Sequence, residues 1–219
     1  MSAPGAGPGL KNISFVIVDK HPQIISLVRT ILHSFGSREI HDAGDGDEGL
    51  RMIQQYEPDI VITDWAMKPM SGVQMVKAMR KHKNQIIKFM PVIMLTGYSE
   101  RRRIVAARDS GINEYLLKPV SPKSLYNRIR AVIEQPRRFV KAGEYFGPDR
   151  RRGEHDFSGP DKRGSGEKGP PVDMAQQMTQ KEIEDEYFMP TASGSAASAE
   201  QYVPPGIRRA RELAAKNKK

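Results

Sequence analysis

Four polar residues each close a short apolar run: Asp19 after FVIV, Asp64 after IVIT, Thr96 after VIML and Lys118 after YLL. In chain order they offer two carboxylates, a hydroxyl and an ammonium. Ligands of open α/β sheets bind at the C-terminal tips of strands, so these residue types stand where chemistry is done if the runs are strands of one such sheet. A second acid beside Asp19 would make a divalent-metal site simple to assemble, but Lys20 stands there. Singly, each residue has a plainer role: an aspartate after a strand often caps a helix, and a lysine before a proline is often surface charge. Their joint occurrence is what needs explaining.

The elements able to position them are legible in the hydrophobic pattern. Between Ile13 and Gln135, short apolar runs alternate with amphipathic stretches, the βα repeat of a parallel sheet. Strands are predicted near residues 13–18, 38–43, 59–63, 91–96 and 113–117. The first, third and fourth are largely apolar, as strands covered on both faces are, while the second is more polar and belongs at an edge. Ile24, Leu27, Val28, Ile31, Leu32 and Phe35 recur at helical spacing, and Gly36 ends that helix. Further helices are predicted near 47–55, 72–82, 100–110 and 122–134, the last with Leu125, Ile129, Val132 and Ile133 inward. Right-handed crossovers then give an α/β domain over residues 12–135: a doubly wound five-stranded parallel sheet of order 2-1-3-4-5 flanked by five helices. Its strand tips bring the four residues to one crevice.

This set, within DIVITDWAMKPMSG, VIMLTGY and YLLKPVS, resembles the receiver domain of two-component response regulators over about 120 residues. The resemblance implies that Asp64 is a phosphoacceptor that attacks a phosphohistidine on a histidine kinase or phosphotransfer protein, a signalling role and not that of an enzyme. A carboxylate suits it, since an acyl phosphate is labile and acts as a timed signal. Negative charge concentrates around phosphorus during transfer, so fixed cations and donors are needed. Lys118 would pair with one phosphoryl oxygen and the Thr96 hydroxyl with another. The resemblance also implies a cis Lys118–Pro119 bond and a switch pair, Thr96 and Tyr115, whose ring turns inward behind the threonine; a packed strand tyrosine is the plainer reading of Tyr115. Trp65 would flank the site.

In that family two adjacent acids, the phosphoacceptor and the carbonyl two residues beyond it hold a divalent metal. Here the set is Asp19, Asp64 and the Ala66 carbonyl, with Lys20 in place of the second acid. Exchanging −1 for +1 beside a divalent ion changes the gross Coulomb energy by ~10 kcal/mol at about 5 Å and an effective dielectric near 20. A weak Mg²⁺ site is therefore expected. Either the Lys20 ammonium swings into solvent and leaves that weakened site, or it sits in the metal's place as a built-in cation. The first is preferred, because Asp64, Thr96 and Lys118 would otherwise have little reason to coexist. The second describes a phosphorylation-independent pseudo-receiver scaffold.

Composition bounds the remaining classes. The apolar content of 38% is below the globular average, so part of the chain is expected to be unpacked. No apolar run is long enough for a membrane span, the opening MSAPGAGPG lacks a signal-peptide core, and with no Cys there are no disulfides or thiolate sites. A cytoplasmic location is the default expectation. The formal charge of +9 divides as +6 over residues 1–135 and +3 over 136–219, so the excess is a patch between Lys77 and Arg108 and not a basic tail. SERRRIVAARDSG, with Lys77, Arg80, Lys81, Lys83 and Lys88, could steer an acidic protein partner or a second copy to the face from the fourth to the fifth predicted helix, although a solvated helix face is the commoner meaning of such charges. DNA binding ranks well below, since residues 136–219 carry no helix-turn-helix pattern. His21, His33, His41, His82 and His155 lack metal-ligand spacing, and Met67, Met70, Met75 and Met79 are read as core and loop packing.

Residues 1–11 and, after Pro136, most of 136–219 are expected to be disordered, being rich in Gly, Pro, Ser and charge. Residues 173–189, acidic with Met174, Met178, Ile183 and Phe188, and basic residues 205–218 could each form a short helix, marginal alone. RRFVKAGEYFGPDRRRG interleaves aromatics with arginines and reads as a solvated linker, or as a docking peptide that orders on binding.

Overall fold

The structure, a computed structural model, describes residues 10–149, 173–188, 203, 206–208 and 212. Strands β1 (Phe15–Val18), β2 (Ile40–Ala43), β3 (Ile60–Thr63), β4 (Val92–Thr96) and β5 (Glu114–Leu117) form one parallel sheet in the order β2-β1-β3-β4-β5. The expected topology is observed, with β2 at an edge. Register aligns the tips: Val18 lies beside Ala43 and Thr63, and Thr96 beside Leu117. Asp19, Asp64 and Lys118, each one residue further on, therefore emerge at one end of the sheet.

Successive strand residues face opposite sides, and each side has its own core. Val16, Val18, Val61, Val92 and Met94 pack with Met75 and Met79 of α3 (Gly72–Arg80) and Ile53 of α2 (Gly46–Tyr56). Phe15, Ile17, Ile60, Ile62 and Ile93 pack with Ile31 and Leu32 of α1 (Pro22–Ser34). Burying one such side chain contributes roughly 1.5–3 kcal/mol, so two full layers hold the tips rigidly. Met67, Met75 and Met79 are buried and Met70 packs beside them, as read from the sequence.

One helix is additional. A single turn, α4 (Gln85–Phe89), is capped by Asn84, whose side chain accepts from the Ile86 N–H, and it buries Ile87. Five residues are too few to show a helical period. The helices anticipated near 100–110 and 122–134 are thus α5 (Arg101–Ser110) and α6 (Pro122–Glu134).

The expectation of a mostly disordered extension does not describe residues 136–149 or 173–188. Strands β6 (Phe139–Ala142) and β7 (Tyr145–Pro148) form an antiparallel hairpin through Gly143, whose φ of 58° suits a residue without Cβ. Phe139 and Phe146 each stand 5.1 Å from the Phe89 ring, and Phe139 covers the Arg80 guanidinium at 5.0 Å. Arg80 is correspondingly no member of a solvent-facing patch: it is 3% exposed and donates to the carbonyls of Gly111, Lys88 and Met90 at 2.8–2.9 Å. Burial lowers its pKa to about 9. Residues 173–188 lie against the domain, with α7 (Gln180–Ile183) running into a π-helical turn, Glu184–Phe188, and Met178, Ile183 and Phe188 buried. Their apolar residues are few, but all of these three find the same surface. Leu10, within the expected disordered N-terminus, is buried, as is Ile207. Residues 1–9, 150–172, 189–202 and most of the basic helix anticipated over 205–218 lie outside the described residues. Among the described residues no helix is long and apolar enough to cross a membrane.

Candidate functional site

Asp19 follows β1 directly and its backbone N–H donates to Ala43 O at 3.1 Å. Its carboxylate is buried. Oδ1 accepts from the His21 backbone N–H at 2.9 Å and lies 3.1 Å from the His21 ring Nδ1, while Oδ2 accepts from Lys118 Nζ at 2.7 Å. Asp64 follows β3, and its N–H donates to Val18 O at 2.8 Å, which ties the two acids' strands at their tips. Its Oδ2 accepts from the Ala66 N–H at 2.9 Å, and its Oδ1 from the same Lys118 Nζ at 3.0 Å. The ammonium thus bridges two buried carboxylates.

Lys118 is set by β5: its own N–H donates to Thr96 O at 2.9 Å. The Lys118–Pro119 and Lys68–Pro69 bonds are both cis. The loop after Asp64 is closed by Gly72, whose N–H donates to Trp65 O at 3.1 Å. A Cβ at that glycine would lie 1.9 Å from the Asp64 carbonyl oxygen, so only glycine permits this approach.

Thr96 ends β4 fully buried, its Oγ1 accepting from the Tyr98 N–H at 3.3 Å. Tyr115 is buried with its ring inward, and its hydroxyl donates to Tyr98 O at 2.6 Å. Burial pushes that hydroxyl's pKa well above the usual tyrosine range, with Glu100 adding to the rise. Tyr98 therefore links the two residues singled out as a switch pair. Above the site, Trp65 meets Tyr98 edge-on at 6.1 Å, and the Arg103 guanidinium lies 3.8 Å from the Tyr98 ring and 5.6 Å from Trp65.

Of the residues anticipated from the sequence, the structure brings Asp19, Asp64 and Lys118 into direct contact, sets the Ala66 N–H rather than its carbonyl against Asp64, and joins Thr96 to Tyr115 through one loop. Lys20 is outside this network: its side chain is exposed and makes no hydrogen bond or ion pair among the described residues. The cation between the two acids is Lys118, not Lys20. His21, Tyr98 and Arg103 were not anticipated. The Asp19–His21 spacing does carry a signal, since an aspartate side chain commonly accepts from the N–H two residues on; nothing in the spacing of Tyr98 and Arg103 announces their stacking.

The arrangement presents a carboxylate, Asp64, whose two oxygens each accept from one donor, beside a second carboxylate and one ammonium. Asp19 Oδ2 and Asp64 Oδ1 converge on a single point, the Lys118 nitrogen, which makes them suited to share a hard cation that takes one or two carboxylates and retains water. Among the described residues no group of three or more His, Cys, Asp or Glu is placed to hold a metal ion.

A parallel sheet of this order with acids, hydroxyl and lysine at adjoining tips defines a receiver-type α/β domain. The family description "Response regulator receiver domain" matches residues 15–130, and the chain belongs to this family. It is 30% identical over 125 residues to chemotaxis protein CheY-3 of Vibrio cholerae, covering 57% of this chain and 95% of that protein. Chemotaxis protein CheY of Pseudomonas aeruginosa is 28% identical over 123 residues, covering 56% and 98%. The solved structure of Vibrio cholerae CheY4 superposes with a TM-score of 0.51 at 30% identity, covering 55% of this chain and 98% of that one. These relatives are spanned almost end to end, while residues beyond the receiver domain have no counterpart in the match.

Proposed function

We propose that this chain is a phosphorelay response regulator whose Asp64 accepts a phosphoryl group from a histidine kinase or phosphotransfer protein, in the cytoplasm, and that it signals through phosphorylation-dependent protein contacts. The observation that carries the reading is the hold on Asp64: both carboxylate oxygens are engaged, by Lys118 Nζ and by the Ala66 N–H, in a buried site facing Asp19. In the step proposed, an Asp64 oxygen attacks phosphorus, the P–N bond to the donor imidazole breaks, and its electron pair stays on the departing ring nitrogen. Lys118 then exchanges its bond to Asp64 for one to a phosphoryl oxygen while remaining paired to Asp19. The Thr96 hydroxyl, which is an acceptor only toward Tyr98, keeps its proton for another phosphoryl oxygen. Donors fixed in advance cost no reorganisation when charge develops.

Asp19, Asp64 and the Ala66 carbonyl are the groups that would hold Mg²⁺; when bound, it supplies positive charge to the transferring phosphoryl oxygens. The exposure of Lys20, with no hydrogen bond or ion pair among the described residues, supports a weakened site over a site filled by that side chain. The test uses a phosphohistidine-bearing kinase or phosphotransfer domain as donor. Label is expected to pass to the chain and not to Asp64→Asn. Retention of label on every competent donor offered would instead favour a phosphorylation-independent scaffold.

A further inference from the structure

Two loops border the crevice between Asp64 and Thr96, and their aromatic rings meet across it. β3 and β4 are neighbours in the sheet; Asp64 follows the first and Thr96 ends the second. Trp65 comes directly after Asp64, Tyr98 two residues after Thr96, and the two rings meet edge-on at 6.1 Å. A third side chain ties them together. Arg103, the third residue of α5, sets its guanidinium 3.8 Å from the centre of the Tyr98 ring and 5.6 Å from that of Trp65. Glu100, three residues earlier, stands 3.4 Å from Arg103 Nε and orients the side chain.

These contacts differ in kind from those below them. Asp64 and Lys118 are joined by a charge-assisted hydrogen bond and Thr96 is fully buried, whereas the Arg103 side chain is 31% exposed and makes no hydrogen bond among the described residues. A cation over an aromatic ring is held weakly at a partly exposed place, so the closure is reversible. A guanidinium suits it, since its plane stacks on a ring as well as attracting it. The backbone of Tyr98 also carries the N–H that meets Thr96 Oγ1 and the carbonyl that accepts from Tyr115. A cation that holds the Tyr98 ring therefore steadies the loop behind it.

We infer that Arg103 is a positioning residue that closes the mouth of the Asp64 crevice by clamping Tyr98 against Trp65, and that the closed mouth shields an acyl phosphate on Asp64 from water and holds off small phosphoryl donors. This deepens the phosphorelay reading and rests on it for what is shielded; the closure itself rests on the ring geometry. In hydrolysis a water oxygen attacks phosphorus opposite the Asp64 oxygen. The P–O bond to Asp64 breaks, its electron pair returns to the carboxylate, inorganic phosphate departs and the water's proton passes to solvent. A small donor such as acetyl phosphate reaches Asp64 by the same route, because the residue is only 5% exposed. Keeping water from a reactive intermediate is a recognised effect of closing a site over it.

The test uses the full chain as wild type, Arg103→Ala, Arg103→Lys, Tyr98→Leu and the double variant Arg103→Ala with Tyr98→Leu. Each is loaded with acetyl phosphate and Mg²⁺, the donor is removed, and the phosphoryl mass on Asp64 is followed with time. Arg103→Ala is expected to speed both uptake and loss roughly fivefold, the population shift that one partly exposed cation–π contact supports. Arg103→Lys keeps a cation without a stacking plane and is expected to fall between. Tyr98→Leu is expected to reproduce the effect, and the double variant to add nothing to it, as residues acting through one contact do. A site merely distorted by substitution takes up phosphoryl more slowly, so slower uptake, loss at the wild-type rate or additive effects would overturn the inference. Acrylamide quenching of Trp65, the single tryptophan, reads the closure without phosphorylation: stronger quenching in Arg103→Ala is expected, and equal quenching overturns it. Stronger quenching with no uptake in any variant, also from a phosphohistidine donor, keeps the closure and removes the phosphorelay reading. Uptake and loss at unchanged rates in every variant do the reverse.

Discussion

Glu114 opens β5 and is 5% exposed, and burial raises its pKa from 4.5 to about 7, against the pull of Arg128 at 3.0 Å and of Arg137. Glu184 of the docked segment adds to the rise. The native state therefore holds this proton more tightly than the unfolded chain does. Below pH 4.5 the group is neutral in both states and imposes no penalty. As pH rises through the folded value, the unfolded state ionises first and stability falls, by about 3 kcal/mol once pH exceeds 7, at 1.36 kcal/mol per pKa unit. Glu114→Gln keeps the shape and one acceptor for Arg128 and removes the titration. Relative to wild type, the variant is expected to gain about 3 kcal/mol between pH 4.5 and 8, or roughly 10 °C in Tm for a unit of this size. Urea and thermal unfolding of both proteins across that window measure the difference, in which other titrating groups largely cancel. A difference that does not change with pH would refute the argument, since it would mean that Glu114 is solvated or fully compensated by its arginines.

Three further substitutions probe the site around Asp64. Lys118→Met leaves Asp19 and Asp64 facing one another without their shared ammonium, and is expected to cost about 3 kcal/mol in urea melts and to abolish phosphoryl uptake; unchanged stability would show that the pair is solvated. Lys20→Asp adds a carboxylate beside Asp19 and is expected to tighten Mg²⁺ binding at least tenfold, read by Trp65 emission; equal affinity would place side chain 20 beyond electrostatic reach of the site. Gly72→Ala sets a methyl against the Asp64 carbonyl and is expected to cost about 2 kcal/mol and to slow uptake, whereas a wild-type melt would mean that the loop yields freely.

Much of the fold was legible because its signals are local. FVIV, IVIT and VIML are buried strands whatever surrounds them, and the polar residue after each marks a tip, so Asp19, Asp64, Thr96 and Lys118 could be placed at one end of the sheet before their contacts were known. What stayed hidden depends on tertiary geometry. Arg80 reads as one of several basic residues near α3, and only the converging carbonyls of Gly111, Lys88 and Met90 show it to be interior. Met178, Ile183 and Phe188 are spread among charged residues whose average composition is that of a disordered chain, and their burial requires a surface supplied by β5, α5 and α6. The bridging of two acids by Lys118 is likewise a property of strand register, not of any motif. Lys20 is conspicuous in sequence and peripheral in structure, where it sits exposed at the bend between β1 and α1.

The measurement that bears most directly on the account is the intact mass of the full chain after incubation with acetyl phosphate and Mg²⁺, followed by fragmentation to locate the added group. One phosphoryl group on Asp64, absent from both Asp64→Asn and Lys118→Met, is the predicted result. An unmodified chain under conditions that phosphorylate a receiver control, or a phosphoryl group on any other residue, would contradict it.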